Sequence, residues 1–173
     1  MIRQIVILQC LFLCLAACTG VPEGVTTVDG FEAERYLGKW YEIARLDHSF
    51  ERGLIRVTAE YSPRDDGGIR VVNRGYDPEK QEWEEAIGKA YFVKSPEIGQ
   101  LKVSFFGPFY GAYNILDLDK DEYRYSLVAG PDRSYLWILS RTPVLEQAII
   151  DKLVLKANML GFPTDKLIYV THQ

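Results

Sequence analysis

Eight strand-like segments, joined by turns too short to contain a helix, most constrain how this chain can fold. They are rich in Val, Ile, Tyr and Phe, and the connections carry turn residues such as Asp, Gly and Pro. The segments are roughly Lys39–Leu46, Leu54–Ser62, Gly68–Tyr76, Glu82–Lys94, Gln100–Phe106, Tyr110–Asp117, Glu122–Gly130 and Tyr135–Arg141. Short connections join antiparallel neighbours, and eight strands can close around one small ligand. The sequence therefore predicts an all-β protein, an eight-stranded antiparallel up-and-down barrel.

A change of pattern after the eighth segment predicts one C-terminal α-helix. Thr142-Pro143 is typical of a helix start, and no helix breaker follows until Gly161. Leu145, Ile149 and Leu153 then share one face, which we expect to pack on the outside of the barrel. A last short strand is expected over Leu167–Val170. At 173 residues and 47% hydrophobic, the chain is sufficient for one globular domain.

The N-terminus has the layout of a secretion signal, with Arg3 followed by an apolar stretch from Ile5 to Ala17. Leu15-Ala16-Ala17-Cys18 resembles the bacterial lipoprotein box, which implies cleavage before Cys18 and acylation of that cysteine. Residues 1–17 are then the removed signal peptide, 18–29 a lipid-anchored tether and 30–173 the folded domain. Thr19 stands where inner-membrane lipoproteins of the enteric type carry an aspartate, so we expect anchoring in the outer membrane, with the protein on its periplasmic face.

Two motifs about a hundred residues apart resemble those of the lipocalin family. Gly38-Lys39-Trp40-Tyr41 is similar to the family's first-strand G-x-W-Y signature, and the segment Tyr135–Arg141 is similar to its last-strand signature. The middle motif is represented more weakly, because its usual T-D-Y spelling is absent. The resemblance is to the outer-membrane lipoprotein branch of the family. It implies a structural plug of Gly38, Trp40 and Arg141, with the arginine lying across the tryptophan at the closed end of the barrel.

This orientation places four connections around the open mouth, near residues 47–52, 76–81, 107–109 and 131–134. Arg52, Lys80 and Arg133 lie in them and are our candidates for contact with a ligand headgroup.

Strand alternation predicts which side chains face the interior. Arg70 and Arg74 should face water, for example, which turns Ile69, Val71 and Asn73 inward. The predicted ligand-binding residues are Val57, Ala59, Tyr61, Ile69, Val71, Asn73, Ala90, Phe92, Leu101, Val103, Phe105, Tyr113, Tyr135, Trp137 and Leu139. We therefore expect an apolar interior with a few hydroxyl or amide groups and no buried charge.

Several function classes lack support in the sequence. The net charge of −4 provides no broad cationic surface, so a nucleic-acid partner is not expected. There is no G-x-S-x-G motif, no glycine-rich phosphate loop and no His/Cys cluster with metal-ligand spacing. We expect no catalytic residue, no metal and no cofactor.

The resemblance implies lipid binding, whereas the residues themselves indicate only an apolar pocket. The predicted function is to hold fatty acids, lysophospholipids or similar amphiphiles for storage or transport in envelope maintenance. Two alternatives stay open, a binder of a planar ligand such as a tetrapyrrole and a structural lipoprotein with a filled barrel. We also consider that the protein forms a homodimer.

Overall fold

The structure is a computed structural model and describes residues 19–173. The predicted signal peptide, residues 1–17, and the predicted lipid anchor, Cys18, lie outside the described residues.

Eight antiparallel strands close into a barrel, as predicted. Their bounds are β1 (Gly38–Arg45), β2 (Ile55–Pro63), β3 (Ile69–Asp77), β4 (Glu82–Phe92), β5 (Gln100–Phe106), β6 (Phe109–Leu118), β7 (Tyr125–Ala129) and β8 (Leu136–Ser140). Consecutive strands pair with each other, and β1 closes the barrel by pairing with both β2 and β8. Closure leaves the barrel strands without a free edge.

One long helix, α2 (Gln147–Met159), packs outside the barrel, and it begins later than predicted. Thr142 is not its N-cap: the Thr142 hydroxyl donates to the carbonyl of Val144, 2.7 Å away, and so stabilises a loop instead. The buried face of α2 consists of Ile150, Leu153 and Ala157, which pack on an apolar cluster on the outer wall of the barrel. Neither helix among residues 19–173 is long and apolar enough to cross a bilayer.

Two further elements cover β1. A short strand β9 (Ile168–Tyr169) pairs with the end of β1. A four-residue helix α1 (Ala33–Tyr36), which the sequence analysis did not predict, comes directly before β1. Tyr36 of α1 is buried, and its backbone carbonyl accepts a hydrogen bond from Trp40 Nε1 at 2.8 Å. Helix α1 therefore packs across the closed end of the barrel.

The predicted plug residues meet at this closed end. The Arg141 guanidinium lies 4.0 Å from the centre of the Trp40 ring, which is fully buried. Arg141 also donates to the backbone carbonyls of Lys39, Arg35 and Tyr123. Gly38 has φ +91°, and a Cβ there would lie 3.5 Å from Arg141, so this position favours glycine.

The predicted tether is in contact with the barrel over much of its length. Val21 and Val25 pack against the outer-wall cluster, and Val28 exchanges backbone hydrogen bonds with Ile115 and Gly99. From there the chain runs to the closed end, where the Phe31 amide donates to Glu97. The orientation of the chain leaving Cys18 is thus fixed by the barrel.

Candidate ligand-binding site

The barrel contains a cavity of about 110 Å³ whose wall is mainly apolar. Thirteen of the fifteen residues predicted to bind ligand lie in its wall: Val57, Ala59, Tyr61, Ile69, Val71, Asn73, Ala90, Leu101, Val103, Phe105, Tyr113, Trp137 and Leu139. Trp40 is not among the lining residues, because it lies below the cavity in the plug.

Phe92 and Tyr135 are not in the cavity wall, contrary to the prediction. Phe92 packs in the lower core against Phe31, with ring centres 6.1 Å apart, because the N-terminal segment covers that end of β4. Tyr135 lies at the mouth, where its ring stacks 6.4 Å from Phe50 and 6.2 Å from Trp137. Alternation predicts the facing of a side chain but not what other segments place in front of it.

Six lining residues were missed by the sequence analysis. They are Tyr36, Glu42, Phe50, Glu51, Thr58 and Ala112. Tyr36 comes from α1, and Phe50 and Glu51 come from the loop between β1 and β2, so strand alternation could not find them. Ala112 follows the alternation of Tyr110 and Asn114 on β6 rather than that of Tyr113, and the strand is apolar on both faces. Alternation on β2 predicts that Thr58 faces outward like Glu60, so no pattern in the sequence indicates that it lines the cavity.

Glu42 faces the interior because it lies two residues after the buried Trp40 on β1, and a β-bulge brings Arg45 to the same side. The pairing of β1 with β8 shifts between Glu42 and Ala44, so that Ile43 and Ala44 both pack in the outer-wall cluster. Glu42 and Arg45 are therefore both buried, with Arg45 Nη1 2.6 Å from Glu42 Oε1. The expectation of an interior without buried charge was wrong.

The loop between β1 and β2 is held onto this buried pair. Arg45 Nη2 donates to the backbone carbonyls of Glu51 at 2.7 Å and Leu54 at 3.2 Å. Trp137 Nε1 donates to Glu51 Oε2 at 3.1 Å. His48 Nε2 lies 3.1 Å from the same oxygen, at ion-pair distance but without hydrogen-bond alignment. The loop thus supplies one wall of the cavity and is anchored at several points.

The two buried carboxyls have pKa values shifted in opposite directions. Burial, reinforced by the charge of Glu51, raises the pKa of Glu42 well above its usual range, although Arg45 opposes the shift. Burial acts in the same sense on Glu51, but the close His48 imidazole, with the Trp137 hydrogen bond, outweighs it and lowers the pKa of Glu51. The wall therefore carries a carboxyl that favours its neutral form beside one that favours ionisation.

A group of tyrosine hydroxyls forms the polar floor of the cavity. The Tyr113 hydroxyl lies 2.8 Å from that of Tyr36 and 2.9 Å from that of Tyr61. Burial raises the pKa of Tyr36 to about 12 and raises those of Tyr61 and Tyr113 well above their usual value. These groups are neutral at physiological pH, so the floor offers hydroxyls and no charge.

A family model described as a lipocalin-like domain matches residues 31–172. The chain belongs to the lipocalin family. The solved structure of insecticyanin from the tobacco hornworm Manduca sexta has the same fold, with a TM-score of 0.71 at 23% identity over 89% of this chain and 87% of that one.

Relatives with higher identity include bacterial lipoproteins. This lipocalin is 57% identical to outer membrane lipoprotein Blc of Vibrio cholerae over 99% of both chains. It is also 57% identical to outer membrane lipoprotein Blc of Escherichia coli K12, over 86% of this chain and 84% of that protein. Apolipoprotein D of Rattus norvegicus is 33% identical over 75% of this chain and 72% of that protein. The lipocalin is thus an outer-membrane, lipid-anchored member of a family of hydrophobic-ligand-binding proteins.

The three cations predicted at the mouth of the lipocalin barrel all have partners within the chain. Arg52 is paired with Asp47 at 2.8 Å, and Lys80 with Asp77 at 3.1 Å and with Glu84. Arg133 donates to the carbonyls of Leu160 and Glu23, both 2.7 Å away. Arg52 and Lys80 are exposed and could exchange these partners for a headgroup, whereas Arg133 is committed to joining three segments. A headgroup role of the three residues stays a prediction.

Proposed function

We propose that this lipocalin holds fatty acids, lysophospholipids or similar amphiphiles in its barrel, for storage or transport in maintenance of the cell envelope. The observation that carries the proposal is the apolar cavity, which is closed below by the Trp40–Arg141 plug and bounded at the mouth by Phe50. Such a cavity stabilises an acyl chain by removing its methylenes from water, at about 0.8 kcal/mol each.

The volume of the cavity favours an acyl chain over a planar tetrapyrrole. A volume of about 110 Å³ suits a narrow chain better than the broad plane of a tetrapyrrole. It also argues against a barrel filled by its own side chains.

The buried carboxylates predict where the polar end of the ligand lies. Glu51 favours its ionised form, so a ligand carboxylate or phosphate at the same depth would be repelled. We therefore place an anionic polar end above the cavity, at the mouth, near Arg52 and Lys80.

The test uses soluble protein that lacks residues 1–17 and carries Cys18→Ser, purified free of lipid. It is titrated with a long-chain fatty acid, a lysophospholipid and haem, while tryptophan quenching is followed and the stoichiometry is measured by native mass spectrometry. We expect saturable one-to-one binding of an amphiphile. The same spectra report whether the protein is a monomer or a dimer.

Two phenylalanine substitutions on β4 provide the matched control. Ala90→Phe fills the cavity and should abolish binding, whereas Ile87→Phe lies on the exposed face of the same strand and should not change it. Folded, lipid-free protein that binds neither amphiphile would overturn the proposal. Binding of haem alone would instead establish the planar-ligand alternative.

A further inference from the structure

Two phenylalanines are exposed at the tip of the hairpin between β5 and β6, at the mouth of the barrel. Phe106 is 82% exposed and Phe109 is 64% exposed. Phe50, in the β1–β2 loop that also borders the mouth, is exposed as well. We call Phe50, Phe106 and Phe109 the aromatic rim. Exposure of three large apolar side chains around one opening is costly in water and marks a surface that contacts something apolar.

The chain leading to the lipid anchor is attached to the mouth half of the barrel. Asn114 Nδ2 donates to the carbonyls of Gly20 and Gly130, both at 3.0 Å, and Gly130 directly precedes the mouth loop between β7 and β8. Arg133, within that loop, donates to the carbonyl of Glu23 at 2.7 Å. The start of the described chain is thus bonded to the middle of β6 and to the mouth loop between β7 and β8.

The predicted lipid anchor, Cys18, is two residues before Gly20, and two residues span at most about 7 Å. Covalent reach alone therefore limits the distance between the predicted anchor and this attachment.

We propose that the mouth of the barrel faces the outer membrane and that the aromatic rim inserts into the lipid surface that holds the anchor. The proposal depends on acylation of Cys18 but not on the identity of the cavity ligand. Aromatic side chains favour the membrane interface, and a tethered rim inserts at high effective concentration. The mouth then opens onto lipid, so an amphiphile can pass between bilayer and cavity without crossing bulk water.

The charges around the mouth indicate that the contact is apolar rather than electrostatic. Arg52 and Lys80 are neutralised by acidic neighbours, as described above. A rim held by its phenylalanines should remain inserted at high salt, where surface charge interactions are screened.

The experiment uses the lipidated protein, reconstituted in phosphatidylethanolamine–phosphatidylglycerol vesicles that contain brominated acyl chains. Cys18 is the only cysteine after residue 17 and is blocked by its lipid, so one added cysteine can carry an environment-sensitive fluorophore. Phe106→Cys places it on the rim. Val144→Cys is the matched control, because Val144 is 78% exposed and follows the closed end of β8.

We expect the brominated lipids to quench the fluorophore at position 106 at least several-fold more than at position 144, at both low and high salt. Equal quenching at the two positions, or none at 106, would overturn the proposal. So would shielding of position 106 without vesicles in a protein of dimeric mass, because the rim would then be covered by a second copy.

A second measurement links the rim to lipid exchange. Phe106→Ser combined with Phe109→Ser should slow transfer of a fluorescent fatty acid between the lipidated protein and its vesicle about tenfold, while Val144→Ser leaves the rate unchanged. Binding to the soluble form should be unaffected by all three substitutions. This separates failure of the rim proposal from failure of the cavity to bind amphiphiles.

Discussion

Glu42 lies inside the barrel with only 3% of its surface exposed, and its carboxyl contacts the Arg45 guanidinium. Burying the Arg45 guanidinium is costly, and the cost is reduced here because Arg45 also donates to two backbone carbonyls of the β1–β2 loop. A neutral Glu42 beside an ionised Glu51 leaves one negative charge opposite Arg45. The protonation of a single residue therefore couples the stability of this wall to pH.

Glu42→Gln should weaken the fall in stability that the wild type shows as pH rises. Because the pKa of Glu42 is raised on folding, the native protein retains a proton that the unfolded chain releases at its ordinary pKa. That contribution is complete below the unfolded pKa and is lost as pH rises through the folded pKa, at up to about 1.4 kcal/mol per pH unit. Urea unfolding of both proteins at pH 5, 6, 7 and 8 measures the difference. Parallel stability curves would contradict the prediction.

The two central tryptophans should separate binding from folding. Trp137 lies in the cavity wall, so Trp137→Ala should weaken amphiphile binding about tenfold or more while the barrel stays folded. Trp40 is buried in the plug, so Trp40→Ala should cost about 3–5 kcal/mol of stability. Native mass spectrometry and thermal unfolding of both variants provide the two readouts. The reverse pattern would mean that the plug, and not Trp137, contacts the ligand.

At the scale of elements, β1 connects most parts of the molecule. It closes the barrel between β2 and β8, pairs with β9, and carries the bulge that directs Ile43 and Ala44 toward α2. The backbone of the bulge is bonded to the C-terminus: Val170 N donates to the Ile43 carbonyl at 3.0 Å, and His172 Nε2 lies 2.8 Å from the Glu42 carbonyl. Helix α2 and the C-terminal segment thus stabilise the outer wall of the barrel. The cavity lies on the inner face of the strands.

Packing of α2 should therefore affect stability without affecting binding. Leu153 is fully buried against the barrel, and Leu153→Ala should cost about 2–5 kcal/mol. Leu155 is exposed on the same helix, and Leu155→Ala should change stability by less than about 0.5 kcal/mol. Denaturant unfolding measures both, and amphiphile titration below the unfolding transition should give equal affinities. A loss of affinity in Leu153→Ala would show that α2 shapes the cavity.

On the scale of the whole molecule, one barrel separates two apolar regions. The outer-wall cluster includes Leu127, Leu136 and Leu153, and all three are fully buried. The inner region is packed near the plug but leaves a cavity above it. The outer face therefore contributes to stability alone, whereas the inner face forms both the plug and the wall of the cavity.

The length of the acyl chain should control affinity until the cavity is full. Each added methylene that enters contributes about 0.8 kcal/mol, which corresponds to roughly a fourfold gain in affinity. A series of lysophospholipids with 8 to 18 acyl carbons, titrated against the soluble protein, should show this increase and then a plateau. An affinity independent of chain length would place the binding site at the mouth instead of inside.

The sequence by itself determined the elements and the facing of most strands, because alternation depends only on local backbone geometry. It predicted the barrel, the outer helix and thirteen lining residues. Its errors have two causes: Thr142 bonds locally to Val144 and does not cap α2, and Phe31, from a distant segment, covers Phe92. Only the tertiary structure decided that a bulge brings Arg45 beside the inward-facing Glu42, that a loop brings Glu51 beside them, and that the anchor segment is bonded to the mouth loop. These features depend on contacts between residues far apart in the chain, which no local pattern encodes.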